Sequence, residues 1–238
     1  MKSQPGVRWL AQRLGVVPKH NDWLAPAELE VLESKKIVKR RADWRLGRWT
    51  AKRALLTHLR DNVTIPHDYN EVEIRAAADG APEVFIRNRL APVTISISHS
   101  HGVALCAFAG PEAGIGCDAE YVEQRSEAFV SDYFAWPERN KVSRTPAAER
   151  PLVATLIWSA KESVLKAMRE GLRRDPRSVI IEIAPATSPN PWTAFLARCL
   201  MTHQNFDGWW RVSGGHVYTV ACRTPKPTSV ERFCHGSG

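Results

Sequence analysis

Three strand-like segments follow one another between residues 93 and 120 with no helical stretch between them. VTISIS (93–98) alternates apolar and polar residues. VALCAFA (103–109) is an unbroken apolar run, and GIGCDAE (114–120) ends on two acids. Alternation marks a half-buried strand, and a short apolar run marks a fully buried one. EVEIRA (71–76) and VFIR (84–87) precede them. Helical patterns flank this block: 28–41 and 44–60 before it, 123–134 and 147–170 after it, the last as one long helix or two short ones. Pro151 suits only a helix start, and Gly171 is a natural stop. Strands return in SVIIEIA, TAFLARCLM, WWRVSG and HVYTVACR. Gly214-Gly215 signals a hairpin between the last two. PATSPNP (185–191) reads as a loop and the chain after Pro225 as loose.

The order is therefore helices, strands, helices, strands. That is an α+β arrangement and not alternating β-α-β winding. It divides the chain near 111–116 into an N-terminal α+β lobe (1–113), a C-terminal α+β lobe (114–226) and a tail (227–238). No internal repeat is evident by eye.

Composition narrows the function classes. The 238 residues are 44% apolar and 24% charged, ordinary for a soluble globular protein. MKSQPGVRWLAQRLG lacks the apolar core of a secretory signal, and no run approaches membrane-spanning length. The five cysteines form no C-x-x-C pair and read as reduced, mostly buried thiols. A cytoplasmic protein without a membrane partner is expected.

The net charge is +8, and the window 33–60 alone, with ten basic and two acidic residues, accounts for all of it. On a helix Arg41, Arg45, Arg48 and Lys52 share one stripe. Like charges so placed repel, and an anion would relieve them; arginine forks suit phosphate oxygens. A solvated basic face, or nonspecific nucleic-acid contact, is the plainer reading. Asp118 and Glu120 lie two apart at a strand end, so both carboxylates share a face. They are either two exposed acids or a pair that holds a hard cation such as Mg²⁺. Glu162 and Lys166 are i,i+4 in WSAKESVLK (158–166), directly after the apolar LVATLI. They form a surface pair, or a buried carboxylate with a metal beside it and a lysine aimed at phosphate. His99, in SISHSHG, is a turn residue or a phosphate donor.

Together these stretches resemble the 4′-phosphopantetheinyl transferases of the Sfp type. The family's (V/I)-G-(V/I)-D-x-E strand end is matched by Ile115-Gly116-Cys117-Asp118-Ala119-Glu120. Its (W/F)-(S/T/C)-x-K-E-(S/A)-x-x-K motif is matched in full by Trp158 to Lys166. Its serine–histidine turn is matched by Ser98-His99-Ser100, and its basic helix by Gly47-Arg48-Trp49-Thr50-Ala51-Lys52. The motifs keep the family's order and spacing from about residue 35 to 170. Two departures are Asp79, in Asp79-Gly80-Ala81-Pro82 where the family often has a basic residue, and Cys117 in place of Val or Ile. Arg75 or Arg87 would supply the cation missing at Asp79.

The resemblance implies two pseudo-symmetric α+β lobes with coenzyme A in the cleft between them. It implies transfer of the phosphopantetheine arm to a serine of an apo acyl or peptidyl carrier protein, with release of 3′,5′-ADP. Asp118, Glu120 and Glu162 would hold Mg²⁺, or Mn²⁺, and Glu162 would also be the base. Lys166 would stabilise the leaving phosphate. Arg40, Arg48, Lys52, Ser98, His99, Asp118, Lys161 and Lys166 would contact coenzyme A. A monomer that binds no nucleic acid is implied as well. Two other classes compete. A metal-dependent nuclease usually places a lysine two residues after an acid on one strand, whereas Tyr121 and Val122 follow Glu120. A non-catalytic binder of coenzyme A or carrier protein has no need of all three carboxylates.

Overall fold

The computed structural model describes residues 6–59, 68–111, 113–183, 192–223 and 230–232. They fall into two units, one of residues 1–113 and 228–238 and the other of residues 114–227. The first begins with β1 (Val7–Arg13), α1 (Pro26–Ser34) and α2 (Val38–Leu59). It continues through β2 (Val72–Ala76), β3 (Pro82–Ile86), β4 (Arg89–Leu90), β5 (Thr94–Ser100) and β6 (Val103–Ala109). All seven residues of β6 are buried, as its apolar run requires, because β6 lies between β1 and β5 and is antiparallel to both. Strands β2, β3 and β4 form a separate antiparallel sheet. Ala51, Ala54 and Leu55 of α2 pack on Val72, Ile74, Val84, Ile95 and Phe108. Full burial of such side chains contributes about 1.5–3 kcal/mol each for the larger ones.

The helix boundary differs from expectation. The chain leaves the helix at Lys35 and re-enters at Val38, in place of one helix over 28–41. The reason lies in a buried ion pair between Glu28 and Lys52. On one continuous helix, residues this far apart would be separated by roughly 36 Å. The chain must fold back between them. Strand β1 was not expected; its Val7 and Trp9 are buried two apart, the alternation of an ordinary strand.

The second unit begins with β7 (Ile115–Tyr121), α3 (Glu127–Tyr133), α4 (Trp136–Arg144) and α5 (Arg150–Ala167). It ends with β8 (Val179–Ile183), β9 (Thr193–Cys199), β10 (Asn205–Ser213) and β11 (His216–Arg223). One antiparallel sheet runs in the order β7-β11-β10-β9-β8. Ala160, Val164 and Leu165 of α5 pack on Val179, Ile181, Phe195, Phe206 and Ala221. Pro151 sits in the first turn of α5, where its missing N–H costs nothing. The helix ends at Ala167, and left-handed Arg169, at φ 60°, turns the chain before Gly171 does. Gly214 and Gly215 both take positive φ in the β10–β11 hairpin. A last strand, β12 (Val230–Arg232), pairs in parallel with β1, so these residues of the tail are not loose. The loop at 185–191 and Cys234 lie outside the described residues. Cys106, Cys117, Cys199 and Cys222 are buried free thiols.

The packing of the two units repeats. Trp49-Thr50-Ala51-Lys52 on α2 corresponds to Trp158-Ser159-Ala160-Lys161 on α5. Leu24, Leu32 and Trp49 form a satellite cluster in the first unit. Phe134, Val142 and Trp158 form its counterpart in the second. Beneath each cluster lies a buried glutamate–lysine pair. Glu28 accepts from the N–H groups of Ala25 (3.0 Å) and Ile74 (3.2 Å) and pairs with Lys52. Glu138 accepts from those of Ala135 (2.8 Å) and Ile181 (2.9 Å) and pairs with Lys161 at 2.7 Å. Each glutamate thus ties a short helix's start, the long helix and a strand after it into one knot. The repeat escaped notice because the intervening residues differ almost throughout.

Candidate functional site

The acidic and basic side chains singled out in the second unit gather where β7 meets α5. Gly116 makes the approach possible. A Cβ there would lie 1.9 Å from the Ser163 carbonyl oxygen and 2.5 Å from the Ala167 nitrogen. Only a glycine lets strand and helix backbones come this close. Two residues on, Asp118 is on the same face and meets the helix. Lys166 donates to Asp118 Oδ1 at 2.8 Å and to the Cys117 carbonyl at 3.2 Å. Glu162 Oε2 is 3.9 Å from the same ammonium. Thr219 of β11, opposite Asp118 in register, fixes the helix from beneath. Its hydroxyl bonds Ser159 Oγ at 2.9 Å and Ser163 Oγ at 2.6 Å.

Burial and like charge act together on the carboxylates. Burial, then the Asp118 charge, raises the Glu120 carboxyl above the usual range, with Arg125 and Lys166 opposing. Burial likewise raises Glu162; Lys166 opposes, and Asp118 and Glu120 add to the rise. Burial alone would lower Lys166, but Asp118 and Glu162 outweigh it and hold the ammonium charged above the ordinary lysine range. The three carboxylates are therefore within electrostatic reach of one another.

Their oxygens are the hard donors that a divalent cation such as Mg²⁺ or Mn²⁺ takes, and their mutual repulsion is what such a cation relieves. The donor chemistry fits. The geometry is closed around Lys166 and Arg125 instead, and among the described residues no three Asp, Glu, His or Cys side chains stand gathered as ligands. Arg125 escaped the sequence reading. It donates to Glu120 Oε2 at 3.0 Å, and its position five residues beyond Glu120 carries no motif signal.

Two lysines expected at coenzyme A are placed otherwise. Lys161 is fully buried, paired with Glu138 and donating to the carbonyls of Pro176 (2.9 Å) and Val179. Lys52 is fully buried, paired with Glu28 and donating to the Trp23 carbonyl at 2.9 Å. Neither ammonium reaches a surface where phosphate could meet it. The rest of the basic stripe also finds internal acceptors. Arg45 donates to the carbonyls of Pro18, Lys19 (3.3 Å) and His20 (3.4 Å). Arg41 donates to Lys35 O at 3.4 Å. Arg48 lies 3.6 Å from Glu28 and 4.9 Å from the Trp44 ring centroid. Like-charge repulsion along the helix is thus relieved from within the first unit. Arg40 is exposed.

Ser98 and His99 separate. Ser98 is buried and His99 exposed, as neighbours on a strand must face opposite sides. Their side chains lie on opposite faces of β5. His99 faces α2, where a Cβ on Gly47 would lie 3.7 Å from its ring. Arg75 is held by Glu73 (2.6 Å) and Asn88 (2.5 Å), and Arg87 by Glu71 (3.0 Å). Neither stands ready to replace a cation at Asp79. Among the described residues no helix is long and apolar enough to cross a membrane.

Comparison with known proteins bears on the same residues. The family model of the 4′-phosphopantetheinyl transferase superfamily matches residues 114–221. No curated protein matches. Among solved structures, a holo-(acyl-carrier-protein) synthase from Bacillus anthracis, in complex with CoA (3′,5′-ADP), is 22% identical with a TM-score of 0.36, covering 44% of this chain and 95% of its own. The Thermotoga maritima holo-[acyl-carrier-protein] synthase is 21% identical with a TM-score of 0.35, covering 54% of this chain and 74% of its own. That of Helicobacter pylori, in complex with coenzyme A, is 17% identical with a TM-score of 0.32, covering 44% and 98%. The family match takes in the Asp118–Glu120 strand end and the Trp158–Lys166 helix and spans just under half of the chain.

Proposed function

We propose that this chain is a Mg²⁺-dependent 4′-phosphopantetheinyl transferase, of the Sfp type, that modifies apo acyl or peptidyl carrier proteins. The observation that carries the reading is the junction at Gly116, inside the superfamily match, which places Asp118 against Lys166 with Glu162 on the same helix. In the reaction, a carrier serine oxygen attacks the phosphorus of coenzyme A that bears the pantetheine arm. The new P–O bond forms as the pyrophosphate P–O bond breaks, and 3′,5′-ADP leaves.

Asp118, Glu120 and Glu162 would hold the divalent cation, which supplies charge neutralisation on the pyrophosphate. Glu162 takes the serine proton. Its raised affinity for a proton brings it nearer the working pH, where a general base is most effective. Lys166, charged throughout the neutral range, stabilises the leaving phosphate. Arg40 and His99 are both exposed on the first unit, as a phosphate contact requires. The net charge of +8 favours an acidic carrier.

Intact-mass spectrometry of an apo carrier protein incubated with this chain, coenzyme A and Mg²⁺ tests the reading. A mass gain of one phosphopantetheine arm, lost with EDTA, is expected. No gain across fatty-acid, polyketide and nonribosomal-peptide carriers would overturn it.

A further inference from the structure

Arg125 lies in the connection between β7 and α3. It pairs with Glu120 Oε2 at 3.0 Å and Glu123 Oε1 at 2.9 Å, and its side chain is only 14% exposed. Its guanidinium also sits 5.0 Å from the Phe129 ring centroid. Phe129 in turn packs on Trp158 at 5.0 Å and on Tyr133 at 4.8 Å. The charge is therefore anchored on the aromatic cluster that holds Trp158, the first residue of the WSAKESVLK stretch within α5. It is delivered to one oxygen of Glu120. With Lys166 on Asp118, two fixed cations answer three carboxylates, leaving a net charge of about −1 at the cluster.

We propose that Arg125, by pairing with Glu120 and standing in for part of the charge a divalent cation would neutralise, sets how tightly the Asp118–Glu120–Glu162 group takes that cation. The inference rests on the cation site proposed above. Glu120 lies on β7, paired with Val217 of β11, so its backbone does not depend on Arg125. Loss of the guanidinium therefore changes the charge of the cluster more than its placement. The aromatic anchor makes the charge local and permanent, unlike a mobile surface lysine that solvent would screen.

Mn²⁺ binding to the full chain, without coenzyme A, is measured by calorimetry and by the loss of the free-ion EPR signal. Arg125→Met is expected to tighten Mn²⁺ about fivefold or more, the scale of one unit charge near an ion in a partly wetted site. Arg125→Lys, which keeps the charge, stays within about twofold of the parent. Glu123→Gln at the surface preserves the fold and leaves Arg125 to Glu120 alone; it weakens Mn²⁺ by about twofold. Equal or weaker binding in Arg125→Met, with native melting in EDTA, overturns the role of Arg125 and leaves the cation site standing. If Arg125→Met fails to fold, unchanged binding in Glu123→Gln overturns it instead. A parent chain that binds no Mn²⁺ overturns both.

Discussion

The two units carry the same knot of tryptophan, lysine and buried glutamate, but only the second carries the carboxylate cluster. Lys52 and Lys161 stand at the same place in WTAK and WSAK, each fully buried on a glutamate that caps a short helix. One residue later the units diverge, with Arg53 in the first and Glu162 in the second. Four residues further, Thr57 faces the comparison with Lys166. Strand β1, which holds the place of β7 beside the central hairpin of its unit, reads VRWLAQR and has no acid. What recurs in both units with the same partners is scaffold. What occurs in one alone is the set that the proposed function uses. That distinction moves Lys161, a motif residue, from the chemistry to the framework, and leaves Glu162 and Lys166 to the chemistry.

The sharpest way to break the comparison is to exchange the divergent position. Glu162→Gln is expected to lower turnover by about 10²–10⁴-fold, the contribution of a general base, while melting stays near that of the parent. Arg53→Gln, the matching half-buried position in the first unit, changes turnover within about threefold, as a substitution away from the reacting groups does. Mass-spectrometric transfer assays under single-turnover conditions read both. Comparable losses in the two variants would dissolve the scaffold–site division.

The framework itself is next. Lys161→Met leaves Glu138 buried without its cation and is expected to cost about 3–5 kcal/mol in urea unfolding. Lys52→Met should cost less, because Arg48 lies 3.6 Å from Glu28 and retains part of the compensation. Equal losses would mean that Arg48 contributes nothing to the knot. Gly116→Ala belongs with these. A Cβ at 1.9 Å from a backbone oxygen cannot be absorbed by a rotamer change, so β7 must retreat from α5. A loss of about 3 kcal/mol or more is expected, together with a collapse of transfer activity; a variant that melts like the parent would place the contact elsewhere.

Much of this was legible in the sequence, and the rest had physical reasons to hide. The strands were readable because alternation and apolar runs report burial directly, as in β5, β6 and β11. Period two put Asp118 and Glu120 on one face and the i,i+4 step put Glu162 beside Lys166, because both are fixed geometry; that the two pairs meet was legible only through the family resemblance. The fate of Lys52 and Lys161 was not readable, since each partner lies more than twenty residues away and a lysine in a motif looks like a phosphate ligand. The same holds for the basic stripe. Its charges are answered by carbonyls of residues 18–20 and 35, and no pattern in a sequence marks a carbonyl as an acceptor. Arg125 stayed hidden because connection geometry decides where its fork points.

The smallest expected effect follows from the proton affinity of the carboxylates. Burial, followed by neighbouring charge, raises Glu120 and Glu162 above the usual carboxylate range in the folded chain. A group raised on folding binds its proton more tightly in the folded state. Its stabilising contribution is therefore present below the ordinary carboxylate value and is lost as pH rises through the raised one. Stability in EDTA should thus increase as pH falls across that window, by an amount on the order of 1 kcal/mol. Glu162→Gln removes its share of the slope, and urea unfolding at a series of pH values compares the two chains. Excess divalent cation reverses the trend, because a bound cation requires the carboxylates ionised and so favours the folded state at higher pH. A slope that is identical in the parent and in Glu162→Gln, with and without cation, would show that Glu162 is not electrostatically part of the cluster, and the first unit's Arg53 would then lose its meaning as the contrasting position.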